Sequence, residues 1–178
     1  MRPELLMLGV GVALLFLYRR QQTSDWLSPS FHISEFTQWM GKLAPPRAVP
    51  LDVYTNLVRL ARVLEVVQAA AGKKVRVVGA RSGWRPLDIA DPGVNAGEHT
   101  AGLAADIVID GMGPWDIRDL LEQLMRAGRI PPGGIGVYAP APGLSGDRMV
   151  HYDLGASRRW WGDTTPHFSY PNRPGGYA

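Results

Sequence analysis

Cysteine is absent from all 178 residues. That excludes disulfide staples, thiolate metal ligands and cysteine nucleophiles, and it leaves the redox compartment undetermined. Blocks of Lys and Arg, and basic stripes interleaved with aromatics, are also missing. Nineteen Lys+Arg stand against sixteen Asp+Glu, and the net charge of +3 comes from residues scattered singly or in pairs. No nucleic-acid partner is expected from such a pattern. Internal repeats and low-complexity segments are lacking too. Hydrophobic residues, by contrast, make up 46% of the chain, enough for a core of ordinary size, and the length suits one domain with an appendage. Twenty-one Gly and fifteen Pro, about a fifth of the residues, predict a loop-rich domain rather than a helical bundle.

Long hydrophobic runs are scarce, and the one present is N-terminal. Leu5 to Tyr18 (LLMLGVGVALLFLY) is uninterrupted, with Arg2 before it and Arg19-Arg20 after it. As a helix it would span roughly 21 Å, short of the ~30 Å hydrocarbon core, a gap that snorkelling arginines and local bilayer thinning reduce. The residues after the run offer no small pair for signal cleavage, and the paired arginines follow the run, whereas a twin-arginine export signal has them before it. Residues 1–20 are therefore expected to form an uncleaved membrane-anchor helix, with a buried core helix as the alternative. Arg2 plus the α-amino group balances Arg19-Arg20, so orientation is left open.

The remainder reads as α+β. Residues 21–30 look like a polar linker, and Ser34 or Thr37 is placed to cap a short helix near Glu35–Met40. Tyr54, Val58, Ala61, Leu64, Val67 and Ala71 recur at helical spacing across 52–71, and Gly72 follows as a stop. Val75–Gly79 and Ala104–Ile109 are expected strands, with a long loop between them over 80–100, a length at which loops are usually functional or disordered. Pro114 opens a helix that Gly128 closes. Gly134–Tyr138 and Met149–Leu154 are expected to pair antiparallel, and residues 163–178 form a Pro/Gly-rich tail. The expected fold is a small antiparallel sheet packed against helices.

Two short segments carry residues suited to chemistry. One is His99-Thr100-Ala101-Gly102-Leu103-Ala104-Ala105-Asp106, where the long loop meets a strand; the other is His151-Tyr152-Asp153 on the last strand. Neutral imidazole and carboxylate are good zinc ligands, and three protein ligands leave a fourth position for water. The small residues Gly102, Ala104 and Ala105 let backbone pass close behind such a site. The same segments also fit a loop-capping His99 and a hydrogen-bonded sheet His151. His32 and His167 have no motif around them and read as surface or loop histidines.

Ser82-Gly83-Trp84-Arg85, then His99-x-x-Gly102-x-Ala104-x-Asp106, then His151-x-Asp153 resembles the zinc D-alanyl-D-alanine carboxypeptidase and endopeptidase family. That family includes D,D-dipeptidases and L-alanyl-D-glutamate endolysins, and it shares its fold with the hedgehog signalling domain. The segments Phe31-His32-Ile33-Ser34-Glu35-Phe36, Gly133-Gly134-Ile135-Gly136-Val137-Tyr138 and His151 to Trp160 are most similar to its small murein endopeptidases, with matches in order from Phe31 to Trp161. The resemblance implies a zinc peptidase domain over 31–162 with a single zinc held by His99, Asp106 and His151. It implies that Arg85, beside Ser82 and Trp84, grips the substrate carboxylate or the oxyanion, a task suited to planar bidentate donation. Asp153 would act in catalysis by orienting a ligating histidine.

One position departs from the wider family, where many members have a catalytic glutamate three residues before the last zinc histidine. Arg148 stands there; Asp147 is the nearest acid and the expected proton shuttle, and Glu98 flanks the first ligand. The implied activity is zinc-dependent hydrolysis of an amide bond in the stem peptide or cross-bridge of peptidoglycan, in wall remodelling or in phage entry or lysis. The implied location is a membrane anchor holding the domain toward periplasm or cell wall, or association with a virion. The alternatives are a zinc-bearing, catalytically weak wall-binding module, and a virion membrane protein carrying a peptidase fold.

Overall fold

The computed structural model describes residues 25–37, 49–78, 82–86, 97–138 and 148–162. The expected anchor over 1–20, the tail over 163–178, Asp147 and His167 lie outside the described residues. Among the described residues, no helix is long and apolar enough to cross a membrane. The described elements run α1 (Ile33–Thr37), α2 (Leu51–Ala71), β1 (Val75–Val77), α3 (Gly97–Thr100), β2 (Ala104–Ile109), α4 (Pro114–Arg126), β3 (Gly134–Tyr138), β4 (Met149–Asp153) and β5 (Arg159–Gly162). The fold is α+β, as the sequence suggested.

Helix α2 starts directly after Pro50 and ends at Gly72, whose φ of 61° is the left-handed conformation that glycine tolerates best. Its fully buried stripe is Val53, Leu57, Leu60, Ala61, Leu64 and Val67, while Tyr54 and Val58 flank the core as half-buried neighbours. The expected stripe is thus rotated by part of a turn, because the apolar face is wide enough to admit either reading. Helix α4 has Pro114 in its first turn, and the Asp116 carboxylate accepts from the Gly113 amide at 3.3 Å.

Strands assemble in the order β1-β2-β4-β3-β5. The first four are antiparallel, and β5 pairs parallel with β3, Gly136 opposite Trp160. The expected hairpin-like pairing of β3 with β4 is present, Gly136 facing His151 across the ladder. Alternation divides the sheet. Ala105, Ile107, Ile109, Ile135, Val150 and Tyr152 join the cluster built by α2 and α4, while Asp106, His151 and Asp153 occupy the opposite parity.

Three expectations are corrected. Residues 25–30 are not free linker: Leu27 is buried, and Glu65 of α2 accepts from Ser28 Oγ at 2.8 Å, the Ser30 amide at 2.6 Å and Ser30 Oγ at 2.9 Å. Helix α1 begins at Ile33, so Ser34 and Thr37 lie within it. His32 occupies the cap, its Nδ1 accepting from the Ser34 amide at 3.2 Å while Glu35 accepts from the His32 amide at 2.9 Å. The far end of the expected 80–100 loop is the helical turn α3, which carries His99.

Arg159 docks β5 onto α4. Its Nε donates to Glu122, its Nη1 donates to the Gly133 carbonyl at 2.7 Å, and its Nη2 lies 3.3 Å from the Met125 sulfur. The hydrogen bond from Arg159 holds the Glu122 carboxyl below its usual range, against the opposing effect of burial. Stability from a depressed carboxyl is full above its unfolded value and is lost as pH falls through the folded one. Glu122→Gln should therefore flatten the acid limb of the denaturation midpoint measured against pH; an unchanged limb would show that the pair adds nothing. Leu64→Ala, in the middle of the core, should cost about 2–5 kcal/mol in urea unfolding, and a smaller loss would mean that the core collapses around the gap.

Candidate metal centre

His99 reaches the site from α3, and the turn's exit fixes its direction. The Leu103 amide donates to the Glu98 carbonyl at 2.8 Å and the Gly102 amide to the His99 carbonyl at 3.1 Å, a Schellman-type closure. Gly102 sits at φ 71°, and a Cβ there would press on Val53. Glycine is thus needed for both the backbone angle and the close approach to α2. Asp106 and His151 come from neighbouring strands and are direct cross-strand partners.

These three side chains converge. Asp106 Oδ1 lies 2.9 Å from His151 Nδ1 and 3.5 Å from His99 Nε2, and the two imidazole nitrogens are 3.1 Å apart. All three residues are buried. Their outer atoms decide the tautomers. His99 Nδ1 lies 2.7 Å from the Gly83 carbonyl, which can only accept, so that nitrogen carries the proton. His151 Nε2 lies 3.1 Å from Asp153 Oδ2, so it also carries a proton. What remains facing the centre is two imidazole lone pairs and a carboxylate oxygen. Three acceptors at such distances repel unless a proton or a metal ion stands among them, and this donor set can hold a metal ion.

The electrostatics of the cluster follow from burial and from the two carboxylates. Burial pushes the His99 pKa down. Burial opposes charge on His151 as well, but Asp106 and Asp153 on its two sides outweigh it and raise that pKa. The Asp106 carboxyl is held far below its usual range: burial disfavours the anion, and the hydrogen bonds with His151 and His99 more than offset this.

Asp153 is wholly buried and fully bonded. Oδ1 accepts from the Gly134 amide at 3.2 Å and the Gly155 amide at 2.8 Å; Oδ2 faces His151 and accepts from Arg158 Nη2 at 3.0 Å. Glycine makes the socket. A Cβ on Gly134 would overlap the Asp153 carboxylate, one on Gly133 would overlap the Asp153 carbonyl, and one on Gly155 would lie 2.6 Å from Glu98 Oε1. Asp153 therefore acts on the site through His151, holding its ring, and does not stand open to a reacting group.

The remaining candidates divide. Arg85 lies beside the cluster, Nη2 3.3 Å from Asp106 Oδ2, and its side chain is 20% exposed against 4% for Asp106. Ser82 and Trp84 are buried: the Ser82 carbonyl accepts from the Asp106 amide at 2.8 Å, and the Trp84 indole donates to the Thr100 carbonyl at 3.1 Å. Both contacts brace β2 and α3 from within the fold. Arg148 is exposed, and the expected base Asp147 lies outside the described residues. Sequence reasoning missed the role of Arg158, which donates to Glu98 at 2.8 and 2.6 Å as well as to Asp153. The only sequence signal for it was an arginine shortly after His-x-Asp-x-Gly.

Comparison of the chain with protein-family models, with curated proteins and with solved structures finds no match.

Gly134→Ala tests the socket. The added methyl should displace the Asp153 carboxylate, cost about 1–3 kcal/mol in unfolding, and weaken zinc binding about 10–100-fold. Unchanged zinc affinity in a competition assay would show that Asp153 does not orient His151.

Proposed function

We propose that the chain is a zinc-dependent peptidase that hydrolyses an amide bond in the peptide part of peptidoglycan. The observation that carries the reading is the convergence of His99 Nε2, Asp106 Oδ1 and His151 Nδ1, each ring held in its ligating tautomer by an acceptor behind it. Two nitrogens and one oxygen suit zinc, and three protein ligands leave room for water and substrate. The likeness of the Ser82–Arg85, His99–Asp106 and His151–Asp153 motifs to the murein endopeptidases supplies the substrate class. The apolar run over 5–18 would hold the domain against the membrane, next to the wall.

Zinc, when bound, supplies Lewis-acid polarisation of the scissile carbonyl and an acidified water. The protein's part is positioning and charge. Arg85 is the most exposed of the four side chains in the centre, so an incoming peptide meets its guanidinium before the imidazoles. There it binds a substrate carboxylate or the developing oxyanion. Asp106 Oδ2 orients the guanidinium while Oδ1 serves the centre. Glu98 is unsuited to act as the base, because its carboxylate is paired with both Arg158 nitrogens and its pKa is lowered mainly by that hydrogen bond. Proton transfer falls to Asp147 or to the water itself.

A second reading, a zinc-bearing module that binds wall without cutting it, is favoured by one observation. The position three residues before His151 holds the exposed cation Arg148 rather than an acid.

The deciding experiment measures metal content and release of soluble muropeptides together, using the full chain on purified sacculi with and without chelator. The peptidase reading expects about one zinc per chain and release that chelator stops and zinc restores. Zinc without release would favour the binding module, and neither would overturn both readings. His151→Ala should abolish release and zinc retention with little change in circular dichroism. Wild-type release from that variant would remove His151 from the centre.

A further inference from the structure

Arg158 lies outside the ligand set, in the segment between β4 and β5, yet it contacts both arms that deliver the histidines. Its Nη1 and Nη2 donate to the two oxygens of Glu98, the residue before His99 on α3. Nη2 also donates to Asp153 Oδ2, the oxygen that faces His151 Nε2. One planar group therefore spans three carboxylate oxygens on α3 and β4, and its contact with Glu98 joins residues 60 apart in sequence. Gly155 leaves the space, since a Cβ there would approach both Glu98 Oε1 and Asp153 Oδ1.

Stability alone does not account for this arrangement. The Arg158 side chain is 43% exposed, and its solvent-screened pair with Glu98 contributes little to folding. What the contact adds is geometry: a bidentate fork with directional bonds, in a place where an ammonium would supply only a point charge. It also puts a positive group on Asp153, whose carboxylate is otherwise buried against His151.

We infer that Arg158 is a positioning residue for the metal centre, a clamp that joins the His99 turn to the Asp153–His151 pair through Glu98 and so sets the spacing and direction of the two imidazoles. The inference rests on the metal-centre reading above and deepens it. Without the clamp, α3 and β4 remain folded by their own backbone bonds, but the His99–His151 spacing relaxes and Asp153 Oδ2 loses its second donor. The lost preorganisation appears as weaker metal binding and altered ligand geometry.

The test uses the full chain and four proteins: wild type, Arg158→Gln, Arg158→Lys and Glu98→Gln. Zinc affinity is read by competition with a chelating dye, and ligand geometry by the visible absorption of the cobalt-substituted forms. Arg158→Gln should bind zinc about 10–100-fold more weakly and shift the cobalt bands. Lys should recover only part of this, and Glu98→Gln should move both readouts in the same direction by less. If Arg158→Gln fails to fold, Glu98→Gln decides, because it leaves Arg158 and Asp153 in place. Zinc affinities within two-fold of wild type with unshifted cobalt bands would overturn the clamp. A wild type that binds neither metal would overturn the metal centre and the clamp together. A wild type that binds zinc but cuts no murein would overturn the peptidase reading alone.

Discussion

Two carboxylates with almost no exposure, Asp106 and Asp153, flank His151 in the interior, and the surrounding architecture has to compensate them. Unpaired, a buried carboxylate is among the costliest groups a small domain can carry. Here Asp106 lies against His151, His99 and the Arg85 guanidinium, and Asp153 accepts from two backbone amides, one imidazole and Arg158. The compensation is directional. The acceptors behind His99 and His151 turn a ring lone pair of each inward, so the arrangement that holds the buried charges also leaves a group that can take a metal ion. Stability and function are coupled at this point, and replacing either acid would leave the others mispaired.

The sheet makes the coupling feasible. Strict alternation sends Ala105, Ile107, Val150 and Tyr152 into the core under α2 and α4 and leaves Asp106, His151 and Asp153 on the other face. Antiparallel register places Asp106 opposite His151, and His151 opposite Gly136. Glycine at 134 and 136 puts no β3 side chain directly opposite Asp153 and His151, and at 134 the vacated volume is taken by the Asp153 carboxylate. The Gly133-Gly134 pair is thus a packing requirement of the site, in addition to a turn signal before a strand.

Much of this was legible along the chain, for reasons that can be stated per element. Helices α2 and α4 follow from apolar spacing with a glycine or proline at each boundary, and β2, β3 and β4 follow from short β-branched runs between turns, so local patterns suffice for them. Expectations failed where a contact distant in sequence overrides the local signal. Glu65 draws 25–30 onto α2, although the segment itself is polar. His32 takes the cap expected of Ser34, and the Ile33 amide beside it is bonded to the Asp25 carbonyl at 2.7 Å. The burial of Trp84 beside Thr100 likewise has no signal in the Ser-Gly-Trp-Arg loop itself.

By itself the sequence determined the α+β class, the principal helices and strands, and the identity of His99, Asp106 and His151 as a candidate ligand set. The class and the elements follow from residue type and periodicity, which are local properties, and the ligand set from the resemblance of the motifs to a known family. Only the tertiary structure decided which nitrogen of each imidazole faces inward, that Asp153 works through His151 from a glycine socket, and that Arg158 ties Glu98 to Asp153. Those depend on atoms brought together across β2, β4 and α3, and hydrogen-bond direction exists only once both partners are in place.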